Sequence, residues 1–363
     1  RHNPADPAWP DRDRFILSAG HASMLQYAAL HLSGYDLPLD ELRRFRQWGS
    51  ATPGHPELGH APGVETTTGP LGQGFANGVG LALAERFLAE RWNRPHHEVV
   101  GRRVYALCSD GDLMEGVAQE AASIAGHLGL GGLVYVYDDN RITIDGATTL
   151  TYDTEDKGAR FEAYGWHVQH VHDSEDLDAL RAALAAAAAE ESRPSLIVLR
   201  THIAYPAPHA VDTSKAHGAP LGEAEVRAAK EAMGLDPDLT FHVPDEVYAH
   251  MGAARERGAG AQAEWAGRLT AWREAFPELG ADWDEALKRR PRAGWLEALP
   301  SFPAGKDLAT REAGGAIMQA LKPFTPTMVG GAADLAESTK TEFEGGGVFS
   351  ATHAGRNIAF GIS

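Results

Sequence analysis

Cysteine is nearly missing from this sequence: Cys108 is the only one in 363 residues. A single thiol allows no intrachain disulfide, and a reducing cytoplasm is the expected compartment. No apolar run approaches the roughly 20 residues of a membrane span, so no membrane partner is expected. Cations are scarce as well, with 33 Lys and Arg against 50 Asp and Glu and a formal charge of −17 at pH 7. Binding a phosphate backbone demands a basic surface, which excludes a general nucleic-acid partner. Small anionic substrates need only a few local cations and stay open. The chain starts at Arg1 without a signal-peptide pattern, and it reads as a piece of something longer.

What remains is ordinary for a globular protein, 43% hydrophobic and 23% charged. The length suits two domains. A strand is expected at 14–18, followed by a helix from Ser18 or Ala19 to Leu32. Residues 49–74, rich in Gly, Pro, Thr and His, form a long irregular segment of the kind that is functional or disordered. A helix over 72–92 follows, and its Gly72, Gly74, Gly78 and Gly80 imply close packing against another backbone. Strands at 104–108, 133–137, 166–171 and 196–201 alternate with helices at 115–128 and 174–191. That alternation predicts an α/β fold, a parallel sheet flanked by helices. Residues 221–300 read as a helical arm. A fresh unit starts at Lys306 with a helix at 308–321 and a strand at 327–331, the start of a second α/β domain.

Two strand ends carry the strongest local signal. Ser109-Asp110-Gly111-Asp112 follows the strand that ends at Cys108, and Asp138-Asp139-Asn140-Arg141-Ile142 follows the next one. Ligands of open parallel sheets sit at the carboxyl ends of strands. A carboxylate from Asp110, an amide oxygen from Asn140 and the backbone carbonyl of Ile142 would leave octahedral positions for diphosphate oxygens and water around magnesium. Gly111 lets the backbone approach a phosphate and offer its N–H. Each segment alone is an ordinary turn sequence; together, in a β-loop-α-β context, they favour a metal–diphosphate site.

The pairing resembles the thiamine diphosphate motif, and longer segments sharpen the likeness. Leu17-Ser18-Ala19-Gly20-His21, Thr52-Pro53-Gly54-His55-Pro56-Glu57, Val64 through Gly74, Phe161 through His167, Arg200-Thr201-His202-Ile203 and Thr213 through Gly222 are similar to transketolase signatures. The resemblance runs along essentially the whole chain. It implies the thiamine diphosphate-binding fold and transfer of a two-carbon ketol unit from a ketose phosphate to an aldose phosphate. The implied cofactors are thiamine diphosphate and Mg2+, with Ca2+ as a possible substitute. The implied partners are sugar phosphates and a second copy of the chain, in a homodimer with its active site at the subunit interface.

By the same resemblance His21, His55 and His217 line the thiamine and donor-sugar pocket as catalytic residues. Gly69 and Leu71 meet the cofactor rings through backbone atoms, and Gly111 binds diphosphate. Glu115, with Glu120 on the same helix, approaches the subunit interface beside the cofactor, or else both are plain solvated helix positions. Arg46 resembles an arginine of the substrate channel. Arg311 and Ser338 would hold the substrate phosphate, alongside His21 and His217 on the sugar, and Asp334 would sit near the cofactor. The implied domains are a diphosphate-binding domain with helical arm at 1–270, a linker at 271–305 and an incomplete pyrimidine-binding domain at 306–363.

Two departures stand out. A Ser-Gly-His-Pro-Gly segment expected before Arg1 is not present. After Phe360-Gly361-Ile362 the family continues into an Arg-Glu-His segment whose glutamate activates the aminopyrimidine, where this sequence has Ser363. The isolated piece is therefore expected to be inactive. The alternatives are a non-catalytic, partner-dependent cofactor-binding fragment, or a related enzyme such as dihydroxyacetone synthase or deoxyxylulose-phosphate synthase. A nicotinamide-dinucleotide domain fits poorly, since Asn77 stands where G-x-G-x-x-G needs its last glycine.

Overall fold

The computed structural model describes residues 1–152 and 154–362. Ser363, where the sequence was set against the Arg-Glu-His segment, lies outside them. Two compact units form: residues 1–82 with 102–263, and residues 83–101 with 264–363.

The first unit is built on a five-stranded sheet among its described residues, in which every pairing is parallel. Its strands are β1 (Arg14–Leu17), β2 (Val104–Ser109), β3 (Leu133–Asp139), β4 (His167–Val171) and β5 (Ser195–Arg200). Their spatial order is β1-β2-β3-β5-β4, so β5 inserts between β3 and the edge strand β4. β2 and β3 are apolar runs buried on both faces, as parallel sheets require. On one face, Tyr135 packs edge-on against Phe75, ring centroids 4.4 Å apart, beside Phe161 and Trp166. On the other, Val134, Val171 and Ile197 pack against Ala183 and Ala187 of the alanine-rich helix Leu177–Ala189. Those alanines bury a flat helix face close to the sheet.

Three local readings differ from the sequence expectation. The helix after β1 starts only at Ser23, behind a 3-10 turn at Gly20–Ala22, because Ser18 is tied down elsewhere. The segment after β2 is a turn of helix, Asp110–Met114, separate from the helix Gly116–His127. Of the four glycines around the helix Gln73–Trp92, Gly74 and Gly78 pack tightly: an added Cβ would lie 2.6 Å from Ser18 Cα at Gly74 and 2.1 Å from Tyr135 Oη at Gly78. Gly72 is needed for its positive φ of 75°. Gly80 faces open space.

In the second unit, Trp92, Trp265, Trp272 and Trp283 form an aromatic core, with the Trp272 indole donating to Trp92 O at 2.9 Å. Helices Ala254–Ala275 and Pro277–Leu287 occupy the first part of the stretch read as a linker, and Pro277 opens its helix rather than interrupting it. No regular element lies between Leu287 and Thr310 among the described residues. A helix at Thr310–Leu321 and a two-stranded parallel sheet, Gly330–Ala332 with Asn357–Ala359, complete the unit.

Replacing Gly74 with Ala forces a carbon onto the Ser18 backbone and is expected to cost about 1–3 kcal/mol. Gly80→Ala, with nothing to strike, should be neutral or slightly stabilising. Urea denaturation of the two variants checks the contrast.

Candidate functional site

The site lies at the carboxyl ends of β1, β2 and β3, and its foundation is a buried carboxylate. Asp112 is 0% exposed. Its Oδ1 accepts from the Ser18 hydroxyl at 2.7 Å and from the Gly72 N–H at 2.8 Å. Its Oδ2 accepts from the N–H and hydroxyl of Ser109 at 3.0 and 3.3 Å. One side chain thus joins the end of β1, the end of β2 and the loop that opens the helix Gln73–Trp92. Neither Asp112 nor Ser18 stood out in the sequence as a site residue. The available signal was Asp112's place two residues after Asp110, turned back onto its own strand end.

Asp110, 1% exposed, points to the neighbouring β3 end. The Tyr137 phenol donates to its Oδ1, and the Arg141 N–H donates to its Oδ2 at 3.0 Å. The Lys157 ammonium lies 3.5 Å from Oδ1. Despite these partners, burial pushes the Asp110 carboxyl above its ordinary pKa. Its negative charge is under-compensated, the condition that a divalent cation relieves. Asn140 is buried beside it, its amide nitrogen donating to Asp138 at 2.8 Å and its oxygen accepting from the Ile142 N–H at 2.9 Å. That pair of bonds fixes which way the amide faces. Arg141, at φ 64°, makes the sharp bend between them. Thr201, at the end of β5, donates to Asp138 and ties in a third strand. Among the described residues no group of three or more His, Cys, Asp or Glu is placed to hold a metal. A cation here therefore depends on mixed carboxylate, amide and carbonyl oxygens. Asp110, Asn140 and Ile142 offer oxygens of these three kinds on neighbouring strand ends, chemistry that suits a hard ion.

The glycine-containing loop at 69–72 is adjacent to the turn at Gly111. A Cβ on Gly111 would lie 2.9 Å from Leu71 Cδ1, and one on Gly72 would lie 2.8 Å from Glu115 Cβ. Leu71, Gly111 and Glu115 are thereby brought together, while Glu115 and Glu120 are exposed. Gly69, at φ 141°, passes His55, whose Cγ would be 3.3 Å from an added Cβ. The His55 segment is pinned by the Tyr27 phenol to Pro53 O and by the Ser23 hydroxyl to Gly54 O. Arg46 packs along Gly54 and over the Phe45 ring.

His21 and His217 stack with centroids 4.6 Å apart. Burial lowers the His21 pKa from its ordinary 6.5, with the fields of His217 and His55 acting the same way and Asp112 and Asp138 opposing. Burial lowers that of His217 as well. The His217 Nδ1 is buried and has no hydrogen-bond partner among the described residues. The three histidines thus converge, and one carries a buried polar atom with no partner among the described residues. Asp334, Arg311 and Ser338 belong to the second unit. There Arg311 is exposed in the first turn of Thr310–Leu321, Ser338 is exposed on the short helix Ala336–Thr339, and Asp334 is exposed at φ 60°.

Residues 1–291 match the family model described as transketolase, thiamine diphosphate binding domain. The chain belongs to this family. It is 51% identical to a transketolase of Geobacillus stearothermophilus over 99% of this chain and 54% of that protein. It is 47% identical to transketolase 2 of Escherichia coli strain K12, over 100% of this chain and 55% of that one. A solved transketolase from Pichia stipitis, in complex with sedoheptulose-7-phosphate, matches with a TM-score of 0.96 at 41% identity, over 100% of this chain and 54% of that one. The chain spans about half the length of the curated relatives it matches. No helix among the described residues is long and apolar enough to cross a membrane.

Two outcomes are expected. Asp112→Ala leaves buried donors of Ser18, Gly72 and Ser109 unpaired and should cost about 2–4 kcal/mol in urea unfolding. Because His21 and His217 are depressed in the folded state, the unfolded chain takes up more protons below pH 6.5. Their contribution is present above that pH and is lost as pH falls. Urea midpoints recorded on either side of pH 6.5 should show this slope, and His21→Gln should flatten it.

Proposed function

We propose that this chain is the cofactor-diphosphate-binding part of a transketolase, which moves a two-carbon ketol unit from a ketose phosphate to an aldose phosphate. The observation that carries this reading is the meeting, at one sheet edge, of a buried oxygen donor set and a converging histidine trio. Asp110, Asn140 and the Ile142 carbonyl would hold Mg2+, or Ca2+ in its place, leaving positions for diphosphate oxygens. The Gly111 N–H would donate to the diphosphate, with Gly69 and Leu71 against the cofactor rings and Glu115 nearby at the edge. When bound, thiamine diphosphate supplies the carbanion chemistry that breaks and makes the carbon–carbon bond.

This chain's residues would orient the sugar and handle protons. Burial lowers the pKa of His21 and His217, so both stay neutral near pH 7 and can accept and donate hydrogen bonds to sugar hydroxyls, with His55 beside them. His217 Nδ1, buried without a partner, is the atom best placed to take one. Arg46 would guide the sugar inward. Arg311 would grip the substrate phosphate with Ser338, a bidentate task suited to guanidinium. Asp334 would approach the cofactor.

We further propose a homodimer in which these second-unit residues serve the partner copy's site, and the exposed apolar side chains of Trp48 and Leu58 support association. Sugar phosphates of the pentose phosphate pathway are the proposed substrates. The Pichia stipitis relatives in complex with xylulose-5-phosphate and sedoheptulose-7-phosphate support this choice. The buried, unpaired thiol of Cys108 suits the cytoplasm.

Asp110→Ala should abolish Mg2+-dependent binding of thiamine diphosphate in calorimetry; unchanged affinity would overturn the metal assignment. His217→Ala, placed in a chain that also carries the rest of a transketolase, should lower turnover on the donor by about 10²–10⁴-fold while leaving cofactor affinity in place. Loss of metal binding instead would mean that the histidine acts elsewhere.

A further inference from the structure

Lys157 occupies a position that its own helix does not explain. It is the first residue of Lys157–Ala163, where the helix dipole disfavours a cation. The cap is supplied by Asp156, whose side chain accepts from the Ala159 N–H at 2.9 Å. The lysine instead turns inward, with only 11% of its side chain exposed, over the ring of Tyr137 at 5.8 Å. Its ammonium stops 3.5 Å from Asp110 Oδ1, the same oxygen that takes the Tyr137 phenol.

A magnesium-like ion on Asp110 needs an oxygen at about 2.0–2.1 Å, and an ammonium a few ångströms away would repel it. The ammonium has another place to go. Lys157 also lines a cavity of about 460 Å³ together with Asp139, Glu155 and Asp156. In that group Glu155 uses one oxygen for Arg160, while its other, Oε2, is buried and has no partner among the described residues.

We propose that Lys157 is a built-in counter-ion that holds the cation's place on Asp110 in the empty site and moves to Glu155 when a divalent ion binds. The inference rests on the reading of Asp110 as a metal ligand. It makes Lys157 a residue that weakens cation binding, with Glu155 partly offsetting that effect. A purely structural lysine would do the opposite: its removal could only loosen the site.

The test is Mn2+ binding to residues 1–363 without cofactor, followed by the electron paramagnetic resonance signal of free Mn2+, an octahedral oxygen-seeking stand-in for Mg2+. Lys157→Met should bind about three- to tenfold tighter than the parent, the fold-change expected from releasing a partly buried ion pair. Lys157→Arg should stay near the parent. Glu155→Gln should weaken binding in the parent and change nothing in the Lys157→Met background. Equal or weaker binding by Lys157→Met, with Asp110→Ala weaker still, overturns the proposal and leaves the metal site standing. Asp110→Ala binding as well as the parent overturns the metal site and the proposal together.

Discussion

Everything at this sheet edge depends on the Asp112 carboxylate. A fully buried acid is expensive unless its lone pairs are filled, and here they are filled by three chain segments far apart in sequence. Those bonds fix where β1 ends and β2 ends and where the helix Gln73–Trp92 begins. From these points hang His21, the Gly69–Leu71 turn and Asp110. The acid that organises the site is therefore not the one proposed to meet a cation. Asp110 and Asp112 sit two residues apart on one turn of helix and face different neighbours, one toward β3 and one toward β1. This division lets one carboxylate stay saturated while the other stays short of compensation.

The sheet was readable in the sequence because its strands are short apolar runs separated by helical patterns, and that pattern survives without knowledge of partners. That Asp110 and Asn140 meet at neighbouring strand ends was readable for the same reason, since chain position alone delivers both there. Strand order was not readable: β5 lies between β3 and β4, which follows from packing of the intervening helices and not from local pattern. Nor was Lys157, which looks like an ordinary solvated charge. Its meaning depends on a contact 47 residues away, since the ammonium meets Asp110. The apolar spacing put the helix start at Ser18 or Ala19. The Ser18 hydroxyl is instead committed to Asp112, and the helix begins later.

The glycines teach a similar lesson. Four near one helix suggested a uniform close approach, but each has its own reason or none. Gly72 is set by backbone conformation, Gly74 and Gly78 by the approach of Ser18 and Tyr135, and Gly80 by nothing nearby. Composition signals that something packs tightly. Only the three-dimensional neighbours say which position carries the constraint.

The lone cysteine gives the fold a natural reporter. Cys108 is 0% exposed, burial pushes its thiol pKa well above the ordinary value, and its Sγ–H points to Val136 O at 3.6 Å. It lies immediately before Ser109 and Asp110, under the floor of the site. An alkylating reagent can reach it only when the packing over that face of the sheet opens, so labelling reports those openings. Because no second thiol in this chain competes for the reagent, each modified molecule records an opening at this one place in the core.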